Sequence, residues 1–253
     1  MVFDKNCLRG RRILVTGASS GIGRTTSILL ASCGATIIAI GRDMNRLQET
    51  LDLLEGSGHQ SNVLDLSGSD DIAEYLQKLT KDSLPLNGIF HAAGVSAVRP
   101  VKLSKEKNID DVFGSSIKTA FALARGASLR NVMAEQSALI FMSSVAGQRG
   151  QVGMSIYAAA KAAIDGMCKS LAVEFAPRKI TVNSIVAGAV ITEMHERLTQ
   201  TLSAQSIQDY QDKHLLGFGE PVDIAQVAAF LFSDAGRWIT GSSWLVDGGY
   251  MAR

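Results

Sequence analysis

The chain has 253 residues, of which 46% are apolar and 19% are charged, and its Lys+Arg 25 and Asp+Glu 24 leave a net charge of +1. This balance is typical of a globular protein, and without a basic stretch it argues against nucleic-acid binding. The three cysteines are scattered and match no zinc spacing, so no metal site is expected. No apolar segment resembles a signal peptide or approaches the roughly 18 residues that span a bilayer, which predicts a cytoplasmic protein without membrane contact.

Short apolar segments alternate with segments of helical character along the chain. The predicted strands are Arg12–Thr16, Ala35–Ile40, Ser61–Leu66, Asn87–Ala92, Ala138–Ser143, Ile180–Val186 and Ser243–Val246. The predicted helices are Gly21–Cys33, Asp43–Glu55, Asp70–Thr80, about Ile109–Met133, Ile156–Phe175 and Pro221–Ser233. Because the strands are continuously apolar, we expect a parallel sheet buried on both faces. The alternation predicts a single-domain, doubly wound (Rossmann) α/β fold over residues 1–253, with helices on both faces of the sheet.

The interval of about Ile191–Gly219 departs from this alternation. It is polar, rich in Thr, Gln and Ser, and reads as irregular. Long excursions of this kind are usually functional and often close over a ligand. We therefore predict a substrate lid, with a mixed surface from Met194, His195, Leu198 and Tyr210.

The first strand leads into a glycine-rich turn, Thr16-Gly17-Ala18-Ser19-Ser20-Gly21-Ile22-Gly23-Arg24. Its glycines let the chain turn sharply and approach a ligand, and they leave the next helix N-terminus open to a phosphate. The spacing is neither G-x-G-x-x-G nor a P-loop. A tight turn without a ligand is the alternative, but the first turn of a doubly wound sheet is where dinucleotides bind.

The end of the second strand selects between the two nicotinamide dinucleotides. An acidic residue here accepts from the ribose 2′-hydroxyl of NAD, whereas an arginine accommodates the 2′-phosphate of NADP. Gly41 provides no carboxylate, and Arg42 supplies a cation. The alternative is that Arg42 is a solvated surface residue and Asp43 binds the ribose, but Asp43 is also placed to cap the next helix. NADP(H) is therefore preferred, with NAD(H) as the alternative.

Tyr157 and Lys161 are four residues apart and share one face of a predicted helix. Reduction of a ketone needs a hydride and a proton, and a tyrosine can give the proton although its free pKa is about 10. A nearby ammonium lowers that pKa by favouring the phenolate, and Ser144 can hold the carbonyl oxygen against the phenol. Taken singly, these residues also read as a core phenol, a solvated lysine and a strand-end cap. Ser143 is expected to pack or to bond to the backbone.

Together these stretches resemble the short-chain dehydrogenase/reductase family over nearly the whole chain. The matching motifs are Thr16–Gly23, Asp65, His91-Ala92-Ala93-Gly94, Tyr157-x-x-x-Lys161 with Ser144 upstream, Asn183–Met194, Leu216–Pro221 and Val246–Gly249. The resemblance implies a catalytic set of Ser144, Tyr157, Lys161 and Ser116, with Lys161 also binding the nicotinamide ribose. The cofactor contacts that it implies are Gly17, Ser19, Ser20, Gly21, Ile22, Gly23, Arg42, Asp65, Leu66, Ala92, Gly94, Tyr157, Lys161, Gly188, Val190 and Thr192.

Three positions depart from the family pattern. Ser116 stands where the family usually has an asparagine that helps hold a water relay from the lysine, and a hydroxyl has one donor where an amide has two. His91 also replaces an asparagine and is expected to be a structural neighbour of the cofactor. Ala187 replaces a proline before Gly188, which predicts a more mobile loop on the cofactor side.

Polar residues near the strand ends are candidates for the substrate side, as a pocket for a polar or anionic group or as solvated residues. They are Ser96, Arg99, Gln148, Arg149 and Gln151. A ketoacyl reductase needs a basic patch for an acidic carrier protein; Ala134-Glu135-Gln136 is not basic, which leaves Arg178 and Lys179.

We predict an NADPH-dependent oxidoreductase that reduces a ketone to a secondary alcohol, with a 3-oxoacyl thioester slightly favoured over a small polar carbonyl. The alternatives are a keto-sugar dehydrogenase and a catalytically weak NADP-binding scaffold or sensor, the latter suggested by Ser116 and His91. The glycine spacing disfavours a sugar-nucleotide epimerase. A homodimer or homotetramer is expected, because the family is commonly oligomeric and the long helices are apolar on more than one face. The residues concerned are Phe121, Leu123, Leu129, Met167 and Leu171.

Overall fold

The structure, a computed structural model, describes residues 4–66, 70–96, 98–200 and 203–252. Its strands are β1 (Arg12–Thr16), β2 (Thr36–Gly41), β3 (Gln60–Val63), β4 (Leu86–His91), β5 (Met133–Ser144), β6 (Thr181–Ala187) and β7 (Ser243–Val246). Its α-helices are α1 (Gly21–Ser32), α2 (Met44–Leu51), α3 (Asp70–Lys81), α4 (Glu106–Phe113), α5 (Thr119–Ser128), α6 (Ser155–Phe175), α7 (Glu193–Thr199), α8 (Ala204–Gln211) and α9 (Pro221–Phe232). A π-helical turn, Gly114–Lys118, joins α4 to α5.

The strands in the described ranges form one seven-stranded sheet in the order β3-β2-β1-β4-β5-β6-β7. Every neighbouring pair is parallel. The strand order reverses between β1 and β4, and doubly wound sheets open a ligand crevice at the carboxyl ends of the strands at such a point. The predicted doubly wound α/β fold is confirmed.

Helices cover both faces of the sheet, which explains why the central strands are continuously apolar. One apolar cluster packs the sheet against α3, α5 and α6, and a second packs it against α1, α2 and α9. Phe90, Phe141 and Phe232 are among the largest fully buried side chains, and burying a side chain of this kind contributes about 1.5–3 kcal/mol. The edge strand β3 is only partly buried and ends before the predicted Leu66.

The predicted long helix of about Ile109–Met133 differs from the structure at both ends and in its middle. The helical stretch begins at Glu106, passes through the π-helical turn and ends at Ser128, and Met133 already belongs to β5. Asn131, in the connection, has a positive φ of 66°, a conformation that helix interiors do not contain. The helix therefore cannot continue through Asn131, and the chain turns there between α5 and β5.

The interval of about Ile191–Gly219 is more regular than predicted, because it contains α7 and α8. Each helix has a hydroxyl cap: Thr192 Oγ1 accepts from the N–H of His195 at 3.2 Å, and Ser203 Oγ accepts from the N–H of Ser206 at 3.1 Å. Such caps satisfy amides that the first helical turn leaves unpaired. Residues 201–202 lie outside the described part of the chain.

Neither a membrane-spanning helix nor a cluster of metal ligands is present among the described residues. None of their helices has both the length and the apolar character needed to cross a membrane. The same residues contain no group of three or more His, Cys, Asp or Glu side chains that could hold a metal ion.

Candidate active site

The turn between β1 and α1 packs tightly against the loop after β4. Gly17 and Gly21 have positive φ values of 68° and 48°, which side chains other than glycine rarely adopt. A Cβ on Gly17 would lie 2.9 Å from the nitrogen of Ala93, and one on Gly23 would lie 2.2 Å from the carbonyl oxygen of Gly17. Glycine is therefore required for the two strand-end loops to meet.

A cleft of about 780 Å³ opens beside this turn. Most of the predicted cofactor residues line it: Gly17, Ser19, Ser20, Gly21, Ile22, Gly23, Arg42, Asp65, Leu66, Ala92, Gly94 and Thr192. Ser20 precedes α1 and makes no side-chain capping bond, so its hydroxyl does not occupy the amides of the first turn. Open helix amides and close-packed glycines fit the pyrophosphate of a dinucleotide.

Four predicted cofactor residues do not line this cleft: Tyr157, Lys161, Gly188 and Val190. A Cβ on Gly188 would lie 2.8 Å from the Cα of Asp247, so glycine is needed there for packing against the C-terminal turn. Val190 is buried. Ala187, where we predicted a mobile loop, is the last residue of β6 and is also buried.

Arg42 and Asp43 follow β2, and each makes different contacts. Asp43 caps α2, as its Oδ1 accepts from the N–H of Arg46 at 3.1 Å. Arg42 is exposed on the cleft wall. The carboxylate of Asp43 is thus engaged with the helix, and Arg42 is the basic side chain that the end of β2 presents to the cleft. Arg46 forms an ion pair with Glu193 of α7, which joins α2 to the lid.

Ser144, Tyr157 and Lys161 come together at the carboxyl end of β5. Ser144 is the last residue of that strand, and the other two lie one turn apart on α6. The Nζ of Lys161 lies 5.5 Å from the centre of the Tyr157 ring and donates to the carbonyl oxygen of Met142 at 2.9 Å. A Cβ on Gly94 would lie 3.8 Å from the same Nζ, so the lysine reaches the wall of the cleft.

Burial controls the protonation of this pair. It raises the pKa of Tyr157 to about 12, and hydrogen bonding to Ser144 opposes the shift. It lowers the pKa of Lys161 to about 8, against the charge of Asp165, which raises it. We expected the ammonium of Lys161 to lower the pKa of the phenol, but in this structure lost solvation dominates, and the group that opposes it is Ser144. Near neutral pH Tyr157 is therefore a protonated phenol, and Lys161 is mostly an ammonium.

Polar side chains fasten α6 to the sheet. The hydroxyl of Ser143 donates to the carbonyl oxygen of Lys161 at 3.1 Å, which is the internal bond expected of it. Asp165 is 8% exposed and accepts from Ser184 Oγ at 2.7 Å and from Gln148 Nε2 at 3.0 Å. Gln148, a candidate for the substrate pocket, is thus engaged within the protein. Sequence reasoning missed Asp165, although its place one helical turn after Lys161 was a signal.

A buried hydrogen-bonded chain connects β1, β4 and the π-helical turn. His91 is 2% exposed, with Nδ1 2.8 Å from Thr16 Oγ1 and Nε2 3.2 Å from the carbonyl oxygen of Ser116. Because a carbonyl only accepts, Nε2 carries the proton and Nδ1 accepts from the threonine. Thr16 Oγ1 accepts in turn from the N–H of Ala93 at 3.2 Å. Burial, aided by the charge of Lys161, lowers the pKa of His91 to about 3, so the ring is neutral.

Two serine hydroxyls beside the site are buried without a hydrogen-bond partner among the described residues. They belong to Ser116 and Ser96. The carbonyl of Ser116 bonds to His91, but its hydroxyl finds no group to bond. Ser96 lines the cleft. Buried unpaired hydroxyls are costly, and proteins keep few of them without a role.

The loop after β5 is bound to the C-terminal turn. Arg149 donates to the carbonyl oxygen of Tyr250 at 2.6 Å, and Gln151 Nε2 lies 3.3 Å from the hydroxyl of Tyr250. Both residues were candidates for an anionic substrate pocket, and both instead hold the C-terminal turn. The N–H of Arg99 donates to the carbonyl oxygen of Gly153 at 2.7 Å, which brings the loop after β4 against the same segment.

Aromatic rings join the lid to this turn. The ring centre of His214 lies 5.2 Å from that of Tyr210, 5.4 Å from Phe218 and 4.6 Å from Tyr250. His195 packs edge-on against Phe218 at 4.7 Å. Sequence reasoning included Tyr210 and His195 in the lid but missed His214, Phe218 and Tyr250. Aromatic residues in an otherwise polar interval were the available signal.

Comparison with known proteins places this architecture in a family. The sequence model of a family described as enoyl-(acyl carrier protein) reductase matches residues 17–251. The chain is 32% identical over 244 residues to the 3-oxoacyl-[acyl-carrier-protein] reductase FabG of Thermotoga maritima, covering 96% of this chain and 98% of that protein. It is 31% identical over 239 residues to carbonyl reductase family member 4 of Danio rerio, covering 94% and 97%.

A solved structure agrees with the fold. A short-chain dehydrogenase from Burkholderia cenocepacia J2315, crystallised in complex with NADP, superposes with a TM-score of 0.89 at 26% sequence identity, over 97% of this chain and 100% of that chain. The motifs, the strand order and these matches agree, and the chain therefore belongs to the short-chain dehydrogenase/reductase family of oxidoreductases.

Proposed function

We propose that this protein is an NADPH-dependent carbonyl reductase that converts a ketone to a secondary alcohol. The observation that carries the proposal is the position of Lys161: its ammonium lies beside the phenol of Tyr157 and, at Gly94, against the wall of the dinucleotide-sized cleft. A proton donor and a cofactor site are thus adjacent, as carbonyl reduction requires.

NADPH would supply the hydride. The glycine turn and the start of α1 would hold its pyrophosphate, and Arg42 would pair with its 2′-phosphate. Lys161 commits one of its three N–H donors to Met142, and the remaining donors suit the nicotinamide ribose. The cofactor preference is supported by the helix-capping bond of Asp43 and by the NADP complex of the Burkholderia relative.

Tyr157 would give its proton to the carbonyl oxygen as negative charge develops there. Its pKa of about 12 keeps the phenol protonated and ready to donate at neutral pH. The ammonium of Lys161 stabilises the phenolate left behind. Ser144 would donate to the same carbonyl oxygen and orient it. Ser116 would hold a water that returns the proton from solvent, since its hydroxyl is buried and unpartnered among the described residues.

The substrate class follows from the relatives more than from the pocket. A 3-oxoacyl thioester is favoured because the Thermotoga relative carries the name of a 3-oxoacyl-[acyl-carrier-protein] reductase. A small polar ketone or a keto-sugar is the other class. Arg178 is a weak candidate for docking an acidic carrier, because its guanidinium is bonded to the carbonyl oxygens of Ala127, Ser128 and Met133.

A homodimer or homotetramer and a cytoplasmic location remain predictions. Of the apolar helix residues that suggested assembly, Phe121 is 55% exposed, whereas Leu123, Met167 and Leu171 are buried within the chain. A single exposed apolar side chain is common on protein surfaces, so the expected assembly rests on what the family resemblance implies rather than on Phe121.

The test is NADPH oxidation, with NADH in parallel, over acetoacetyl thioesters, small diketones and keto-sugars. Tyr157→Phe should retain NADPH binding and lose about 10²–10⁴-fold in turnover, the usual contribution of a general acid. Tyr75→Phe is the matched control, because Tyr75 is likewise a tyrosine whose pKa burial raises to about 12, but it lies on α3 and does not line the cleft. Tight NADPH binding without turnover on any substrate would favour the scaffold or sensor.

A further inference from the structure

One buried imidazole connects the lid to the segment that follows β6. His214 is 3% exposed and lies after α8. Its Nε2 accepts from the N–H of Ala189 at 3.1 Å, and its Nδ1 lies 3.1 Å from the carbonyl oxygen of Tyr210. An amide N–H only donates and a carbonyl only accepts. The two bonds together therefore require a neutral ring with its proton on Nδ1.

The segment held by this ring leads directly to the cofactor cleft. The N–H of Gly219 donates to the carbonyl oxygen of Ala189 at 2.9 Å, and the N–H of Ile191 donates to that of Gly219 at 2.8 Å. The next residue, Thr192, touches the glycine turn: a Cβ on Gly21 would lie 3.2 Å from its Cγ2. Ala189 therefore lies three residues from Thr192, which lines the cleft.

We propose that His214 is a positioning residue that couples the lid to cofactor binding. The neutral ring holds residues 188–191 so that Thr192 sets the cleft wall, and protonation breaks the bond to Ala189 because the imidazolium has no acceptor. NADPH affinity would then fall on acidification. We call the two hydrogen bonds of His214, to Ala189 and to Tyr210, the clasp. The coupling to NADPH affinity rests on the proposed placement of NADPH in the cleft, whereas the clasp does not depend on that placement.

Other charged and titratable groups stand on the elements packed around this ring. They are His195 on α7, Tyr210 on α8, Arg149 in the loop after β5, and Asp247 and Tyr250 in the C-terminal turn. His195 has a lowered pKa, chiefly through burial and then through the charge that His214 carries when its ring is protonated. Arg149 lies over the ring of Tyr250, which itself packs on His214. A test must therefore separate His214 from these neighbours.

Three substitutions provide that separation. His214→Phe keeps an aromatic ring and removes both hydrogen bonds. His214→Gln offers a side-chain carbonyl oxygen to Ala189 and does not titrate. His59→Phe is the matched control, because His59 also joins a backbone amide to a backbone carbonyl, with the ring nitrogens exchanged: Nδ1 accepts from the N–H of Ile37 at 3.0 Å, and Nε2 lies 2.9 Å from the carbonyl oxygen of Glu55. It lies near the start of β2, at the opposite edge of the sheet.

Amide hydrogen exchange of the protein without cofactor tests the clasp directly. We expect His214→Phe to accelerate exchange in the peptide that contains Ala189 and Ile191 by about tenfold or more, since its hydrogen bonds open more often. His214→Gln should restore most of the protection, and His59→Phe should leave this peptide unchanged. Equal exchange in the wild type and His214→Phe would overturn the proposal.

NADPH dissociation constants measured from about pH 8 to about pH 5.5 test the coupling. Affinity should weaken more steeply on acidification in the wild type than in His214→Gln, and His214→Phe should bind about tenfold more weakly throughout. The glutamine variant shares every other titrating group, including the cofactor phosphates, so identical pH profiles would refute the coupling. A wild type that binds no NADPH at any pH would refute the proposed function instead, and the exchange result would still stand.

Discussion

Replacing His91 with asparagine should change how the stability of this protein depends on pH. In the folded protein, burial and then the charge of Lys161 lower the pKa of His91 from 6.5 to about 3. In the unfolded chain the ring titrates near its ordinary value of about 6.5. Between these two values the unfolded state binds a proton that the folded state does not. The folded state therefore loses stability as pH falls from about 6.5 toward about 3.

The size of the effect follows from the difference between the two pKa values. Each pH unit in this window costs about 1.36 kcal/mol for one proton, so the full difference corresponds to about 5 kcal/mol. Most of it lies at pH values where carboxylates also titrate. Between about pH 6.5 and about pH 5 the share of His91 is about 2 kcal/mol, which is large for a protein of marginal stability.

Urea unfolding of the wild type and of His91→Asn between about pH 6.5 and about pH 5 measures the contribution of His91 to the pH dependence of stability. We expect the His91→Asn variant to be less stable than the wild type at neutral pH, because asparagine fills less of the core and changes the hydrogen bond to Thr16. Its disadvantage should shrink by about 2 kcal/mol by about pH 5, since only the wild type must exclude a proton. Parallel curves would show that the histidine takes up a proton in the folded state near its ordinary pKa. The hydrogen-bonded chain to Ser116 would then not hold the ring neutral.

Three further predictions concern the cleft and the relay. Gly23→Ala should abolish NADPH binding in a fluorescence titration, because its Cβ would lie 2.2 Å from the carbonyl oxygen of Gly17. Gly150→Ala is the control: a Cβ there meets nothing within 4 Å, so NADPH binding should be unchanged. Arg42→Ala should weaken NADPH by about tenfold or more and leave NADH unaffected, as a lost charge-assisted bond requires; equal losses for both cofactors would contradict its phosphate role. Ser116→Ala should leave the melting temperature equal or higher, because it removes an unpaired buried hydroxyl. Turnover should fall in that variant if the hydroxyl serves the relay, and unchanged turnover would remove Ser116 from the mechanism.

The parts of this protein that the sequence predicted well are those governed by local periodicity. Continuous apolar runs predicted strands buried on both faces, and the spacing of Tyr157 and Lys161 placed both on one face of α6. Asp43 was predicted as a helix cap, and it makes that bond. These features depend on residues a few positions apart, and such relations are legible in a single chain.

The features that escaped prediction depend on distant partners or on subtle backbone changes. A π-helical turn at Ser116 uses the same residue types as an α-helix, and it coincides here with a carbonyl bonded to His91, 25 residues away. The clasp joins His214 to Ala189, which lies just after β6 and 25 residues earlier in the chain. The lid helices carry polar residues, so apolar periodicity was weak, although Thr192 and Ser203 were legible as caps. The pKa of Tyr157 escaped because desolvation depends on the complete packing around it.

The bond between Arg149 and Tyr250 has a consequence for the order in which the site is assembled. This bond joins groups 101 residues apart. The glycine turn packs against the loop after β4, and both of these loops lie within the first 94 residues. Contacts between distant residues form slowly, and a chain made on the ribosome folds from its N-terminal side. The glycine turn and the loop after β4 can therefore meet during synthesis, before Thr192 reaches the cleft wall and before the loop beside Ser144 has its anchor. In a newly made chain these two loops would be positioned first, and the lid side of the cleft and the loop beside Ser144 would be completed last.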